Sequence, residues 1–141
     1  MIIVALIVGI TVAGTLVFSH NRVVNQASTL VLDVNTRALA QWDPEALVAH
    51  AHTSLTANTK PDFIPNYFRA LSFLGALQEI RDINYELTLS PFWTWYDSGN
   101  AYYTMNASFA NGFAEIRITL IRENGQWLIS EYLVLTPAMA A

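Results

Sequence analysis

An α+β fold, in which one apolar helix precedes helices packed on a curved antiparallel sheet, is what the order of residue patterns predicts. Three observations carry that expectation. The first eighteen residues (MIIVALIVGITVAGTLVF) hold no charge, whereas all 7 Lys and Arg and all 11 Asp and Glu come later. Apolar residues then recur at helical spacing as far as Leu74. Beyond Gly75 the period changes to two, and two glycine turn signals punctuate the chain.

The opening segment sets the class. Eighteen helical residues at about 1.5 Å each span about 27 Å, close to the roughly 30 Å of bilayer hydrocarbon. Residues 1–20 are therefore expected to form a transmembrane anchor and residues 21–141 a single α+β domain. The run has no basic n-region and no small-x-small site after Phe18, which favours an uncleaved anchor over a secretory signal. Ala5, Gly9 and Ala13 recur every four residues, so they form a small face on which a neighbouring membrane helix, or a second copy, could pack closely. Thr11, Thr15 and Ser19 make a second small stripe, although all these residue types are also ordinary in membrane helices. Arg22, with His20 beside it, is the basic residue nearest the segment, and counting basic residues would put the domain on the cytoplasmic side.

Composition excludes several classes of function. A net charge of -4 with one lysine, Lys60, leaves no basic stripe for nucleic acid. The absence of cysteine removes disulfides, thiolate metal sites and thiol-linked lipids.

Val23, Ala27, Leu30, Val31, Val34 and Ala38 predict an amphipathic helix over 23–41, continuous with the anchor or nearly so. Leu32 and Leu39 fall away from that stripe, which suggests cover on two sides. Trp42-Asp43-Pro44-Glu45 breaks and restarts the helix: Asp43 is a good N-cap, Pro44 suits the first helical position, and Glu45 complements the dipole. A second helix is expected over 44–55. After a polar loop over 56–60 and Pro61, the set Ile64, Tyr67, Phe68, Leu71 and Leu74 marks a third, stopped by Gly75.

In the strand half, Ile83, Tyr85 and Leu87 alternate with Asn84, Glu86 and Thr88. A two-residue turn at Asn111-Gly112 would pair Phe109 with Ala114 and Tyr103 with Leu120. A three-residue loop at Glu123-Asn124-Gly125 would pair Leu120 with Leu128 and Arg117 with Glu131, and is preferred because a two-residue loop opposes Ile118 to Glu131. Together the two turns put Tyr103, Met105, Ala107, Ile116, Ile118, Leu120, Leu128, Tyr132 and Val134 on one inner face. The other face carries Thr104, Asn106, Ser108, Glu115, Arg117, Thr119 and Glu131, and also Tyr102, Ile121, Trp127, Ile129 and Leu133. That apolar subset reads as a partner or homodimer surface, or as scattered exposed hydrophobics.

Helices followed by a bent sheet ending in ASFANGFAEIRITLIRENGQWLISEYLVL resemble the nuclear transport factor 2-like superfamily of cone-shaped, cystatin-like domains. Over residues 23–135 the likeness lies in the order of elements and in the terminal glycine-turn hairpin followed by Trp127. Membrane-anchored examples are similar to type IV secretion assembly factors, and that resemblance implies a scaffolding role and a periplasmic domain on an inner-membrane, single-pass anchor.

The superfamily also implies an alternative, a tethered small-ligand-binding or isomerase-like cone using an Asp or His base with Tyr donors. On the inner face the terminal strands supply Tyr103, Ser130 and Tyr132 but no acid or base, so no catalytic residue is assigned. Asp62 and Asp97 sit in turn contexts where Asp is expected anyway. His50 and His52, two apart on the expected helix, diverge by about 200° and cannot share one metal ion. No metal or cofactor is expected, and Asn106-Ala107-Ser108 is a glycosylation match that lies mid-strand and reads as chance. The run Phe92-Trp93-Thr94-Trp95-Tyr96 is expected mainly to fill the mouth of the cone. Its other reading is a membrane-interface belt or partner hot spot through Trp93 and Trp95.

The function these patterns favour is a non-catalytic accessory, scaffold or assembly subunit of a membrane complex. Its expected partners are membrane lipid, neighbouring subunits through the anchor, and a second copy through the sheet.

Overall fold

The computed structural model describes the backbone of residues 2–57, 60 and 62–137, and the side chains of 20–56, 60 and 62–137. Parts of the loop expected over 56–60, Pro61 and the last four residues lie outside that set. The backbone of α1 (Ile2–Gln41) is one continuous helix of 40 residues. Among the described residues no helix is long and apolar enough to cross a membrane. The expected anchor, with Ala5, Gly9 and Ala13, falls on positions whose side chains lie outside the described ones.

From Val23 onward α1 packs across the inner face of the sheet. Val23, Ala27, Val31, Val34 and Ala38 are buried as their spacing requires, and Leu30 is partly covered. Leu39 is buried too, on the part of α1 against which α2 (Pro44–Val48) packs, whereas Leu32 is exposed. The end of α1 is a Schellman-type turn. Asp43 N donates to Ala38 O at 2.8 Å, and Trp42 takes the left-handed position at φ 52. A bulky residue is costly there. It is held because its indole donates to Gly75 O at 2.7 Å, stacks on Phe109 and meets Phe68 edge-on.

Asp43 caps α2 through Glu45 N at 3.0 Å, but the helix ends early. Ala51 pairs with Ile129 of the sheet, and α3 (Thr53–Ala57) restarts after it. The single helix expected over 44–55 is therefore two short ones. The cause is capture of backbone: His52 N donates to Ile129 O at 2.7 Å and Ile129 N to His50 O at 2.8 Å. His50 and His52 consequently sit beside a β-bridge rather than on one helix, and the angular argument against a shared ion does not apply to them. Helix α4 (Phe63–Leu71) continues into a 3-10 turn over Ser72–Leu74 and stops at Gly75, φ 80.

Four strands follow, β1 (Leu77–Leu89), β2 (Gly99–Phe109), β3 (Gly112–Glu123) and β4 (Gln126–Leu135), in the antiparallel order β1-β2-β3-β4. The β2–β3 turn is centred one residue earlier than expected, on Ala110 and Asn111, so Ala107 pairs with Ala114 and Tyr103 with Ile118. The shift follows from Asn111 N and Ala110 N, which donate to Leu74 O and Ala76 O. Moving the turn by one residue moves each partner by two, so the inner face is unchanged.

The β3–β4 turn is a correction with larger effect. Asn124 (φ 52) and Gly125 (φ 76) form a two-residue turn with both central residues left-handed, the type I′ geometry that Asn-Gly favours. The conflict it would create between Ile118 and Glu131 is removed by a β-bulge: Leu120 pairs with Ile129, whereas Thr119 pairs with Glu131 and Ile118 with Tyr132. On the turn side of the bulge the faces exchange. Trp127 and Ile129 are core residues at 5% and 0% exposure, not outward ones, and Leu128 moves to the outer face opposite Ile121.

Edge strand β4 is covered by the Ala51 bridge and by Tyr67, whose hydroxyl accepts from Val134 N and donates to Val134 O. Edge strand β1 is interrupted by irregularities near Glu79 and between Arg81 and Asn84, with Asp82 left-handed, and leaves Ile83 and Tyr85 exposed. Broken, charged edges of this kind resist pairing with another chain.

Candidate functional site

Most polar groups on the inner face are engaged with one another. Tyr132 donates to Asn35 Oδ1 at 2.7 Å, and Asn35 Nδ2 lies 3.1 Å from Met105 Sδ, all in the buried core. Tyr103 shares a 2.9 Å hydrogen bond with Ser28 and stacks on Tyr85. Burial pushes the Tyr132 and Tyr103 hydroxyls above the usual phenol range, the Ser28 bond partly opposing this for Tyr103. His52 is likewise occupied. Ser54 N donates to its Nδ1 at 3.0 Å, which directs Nε2 to Glu123 Oε1 at 2.8 Å. Among the described residues no group of three or more His, Asp or Glu is placed to hold a metal ion.

The arrangement at the other end of the sheet is different. Between β1 and β2 the chain runs through Pro91, a 3-10 turn over Phe92–Thr94, and then Trp95 and Tyr96, both left-handed at φ 56 and 55. Two successive side-chain-bearing residues in that region cost about 1–2 kcal/mol each. They are held by Arg122, whose Nε donates to Tyr96 O at 2.6 Å, and by Gly125 N, which donates to Asp97 O at 3.0 Å. The outcome is display. Trp93 is 70% exposed, Trp95 62% and Phe92 52%, so these aromatics do not fill the core as the mouth-of-cone expectation had them.

The loop stands beside α1 just beyond its charge-free stretch. The Tyr96 ring meets the His20 ring edge-on with centroids 5.3 Å apart, and Trp127 Nε1 donates to Val23 O at 3.0 Å. Between loop, helix and β3–β4 turn lies a cleft of about 260 Å³ lined by Arg22, Val23, Gln26, Trp95, Arg122 and Gly125. Arg122 is its deep wall, 6% exposed, with its guanidinium 5.5 Å from the Trp127 ring centre. Burial pulls its pKa down and the nearby Asp97 partly restores it, yet a guanidinium stays protonated throughout. Its Nη1 is enclosed without a hydrogen-bond partner.

No protein-family model, curated protein or solved structure matches the chain. Of the residues singled out by sequence, Trp93 and Trp95 are brought together on the surface, and Tyr102 and Ile121 lie on the outer sheet face, exposed and half-buried. Trp127 and Ile129 are structural. Arg22 was read only as a guide to orientation and Arg122 was not singled out, although one signal for Arg122 is plain: positions 114, 116, 118 and 120 alternate inward, and 122 continues them.

Proposed function

We propose that the chain is a non-catalytic accessory or assembly subunit of a membrane protein complex, tethered through residues 1–20 with its α+β domain making protein contacts outside the bilayer. One observation carries this reading. The charge-free stretch and the helix at the centre of the core are a single uninterrupted α1, so whatever holds residues 2–18 is mechanically coupled to the domain without a linker. A cone-shaped domain of the nuclear transport factor 2-like kind, on the periplasmic side of the inner membrane, is the form this proposal takes. The runner-up, a tethered ligand-binding or isomerase-like cone, gains less support, because Asn35, Tyr132 and Tyr103 spend their polar groups on one another and on Ser28.

The test is extraction of the full chain in mild detergent followed by native mass analysis. Stoichiometric foreign subunits are expected, and Gly9→Leu should reduce their recovery. A lone monomer would sink the proposal.

A further inference from the structure

The cleft at Arg122 combines three features that a packed domain has no need of. Its walls carry two guanidinium groups, Arg22 and Arg122, while the acids nearby are partly committed: Glu123 to His52, and Asp97 3.4 Å from the Ser90 hydroxyl. Arg122 has its Nε–H spent on Tyr96 O, which leaves the fork of its two terminal nitrogens, one enclosed and one on the cleft side, to donate to an anion. Nη1 has no protein acceptor. Nη2 lies on the Gly125 side of the cleft, 3.9 Å from where a Cβ on that glycine would stand, with no side chain between them. Beside this cationic cleft, a strained loop holds Phe92, Trp93 and Trp95 into solvent, an arrangement with no folding benefit.

Position along α1 identifies the occupant. Counting from Phe18 at about 1.5 Å per residue, His20 stands about 3 Å and Val23 about 7.5 Å beyond the end of the charge-free run. The headgroup layer on each side of a bilayer is about 5–7 Å deep. The residues that Tyr96 and Trp127 touch therefore span that layer if residues 2–18 occupy the hydrocarbon. Tryptophan and arginine are the side chains suited to this layer, the first for its amphipathic ring and the second for phosphate.

We propose that the cleft formed by Arg22, Gln26, Trp95, Arg122 and Gly125 seats the phosphate of an anionic phospholipid headgroup, with Phe92, Trp93 and Trp95 in the interfacial layer of the same leaflet. This rests on the membrane-tethered reading of residues 1–20. The lipid contact would fix the tilt and rotation of the domain on its anchor, which a single helix cannot do by itself.

The full chain is reconstituted into phosphatidylcholine vesicles, with or without phosphatidylglycerol, containing lipids brominated near the carbonyl end of the acyl chain. Tryptophan emission should be quenched, and the double variant W93F/W95F should lose most of that quenching. Arg22→Gln, an exposed change, should weaken the phosphatidylglycerol-dependent response roughly fivefold, as for one basic residue lost beside an anionic surface. Arg122→Lys keeps the charge without the fork and should weaken it as well. A chain that floats with the vesicles but is unquenched, or quenching that survives in W93F/W95F, would overturn the placement of the loop. An equal response to inorganic phosphate in phosphatidylcholine vesicles would overturn the lipid assignment. A chain that fails to float at all would instead remove the anchor on which both readings stand.

Discussion

Tyr132 donates its proton to Asn35 inside the core, and burial raises its pKa together with that of Tyr103. In the unfolded chain both phenols ionise near about pH 10. Above that pH the unfolded state binds fewer protons than the folded one, so stability falls as pH rises, by at most about 1.4 kcal/mol per pH unit for each group. Urea denaturation should give a flat midpoint from about pH 7 to about pH 9 and a declining one above about pH 10. Tyr132→Phe should shallow that decline while costing about 1–3 kcal/mol at neutral pH, since Asn35 Oδ1 loses its donor. An undiminished decline would mean that Tyr132 ionises within the fold. At this scale the sequence is informative where a residue's partner is implied by its neighbours. Asp43 as a cap and Gly75 as a stop follow from local chemistry, but the Tyr132–Asn35 pair joins residues 97 apart and nothing local announces it. Arg122 is the intermediate case: its inward phase can be read, its bond to Tyr96 O cannot.

The turns separate what a strand pattern can specify from what it cannot. Alternation assigned Tyr103, Met105, Ala107, Ile116, Ile118 and Leu120 to the core, and all are buried. It could not place Trp127, Leu128 and Ile129, because the pattern stays apolar on both sides of the bulge, and parity alone cannot show where the extra residue is inserted. Burial of the big indole decides that choice, together with its bond to Val23 O. Glycine then has two distinct uses. Gly125 sits at φ 76 with its nearest neighbour, Arg122 Nη2, 3.9 Å from an added Cβ, so Gly125→Ala should cost only backbone strain, about 1–2 kcal/mol. Gly75 sits at φ 80, and a Cβ there would come within 2.9 Å of Ala110 Cβ. Gly75→Ala should therefore cost more than Gly125→Ala, adding overpacking of about 1–3 kcal/mol, and loosen the β2–β3 turn that Leu74 and Ala76 hold. Denaturant midpoints of the two variants give the order directly, and the reverse order would show that the Gly75 contact relaxes without strain.

For the molecule as a whole, α1 is one continuous helix whose described side chains are packed into the domain from Val23 onward. Among the described residues its hydrogen bonds to the sheet run from Val23, which accepts from Trp127 Nε1, through Ser28 to Tyr103 and Asn35 to Tyr132. The buried positions described on α1 likewise run from Val23 to Leu39. A chain shortened to begin at His20 keeps every one of these groups and the cap at Asp43, and loses only the Ile2–Ser19 part of the helix. It should unfold in a single cooperative transition, with Tm within about 4 °C of the full chain in detergent, the shift that about 1 kcal/mol produces in a domain of this size. Near-ultraviolet circular dichroism should retain the signal of packed aromatics, Trp42 and Trp127 among them. Loss of cooperativity or of that signal would mean that residues 2–19 support the core itself. Retention would establish that the domain holds α1 from Val23 onward and leaves the charge-free stretch free to serve something outside the fold.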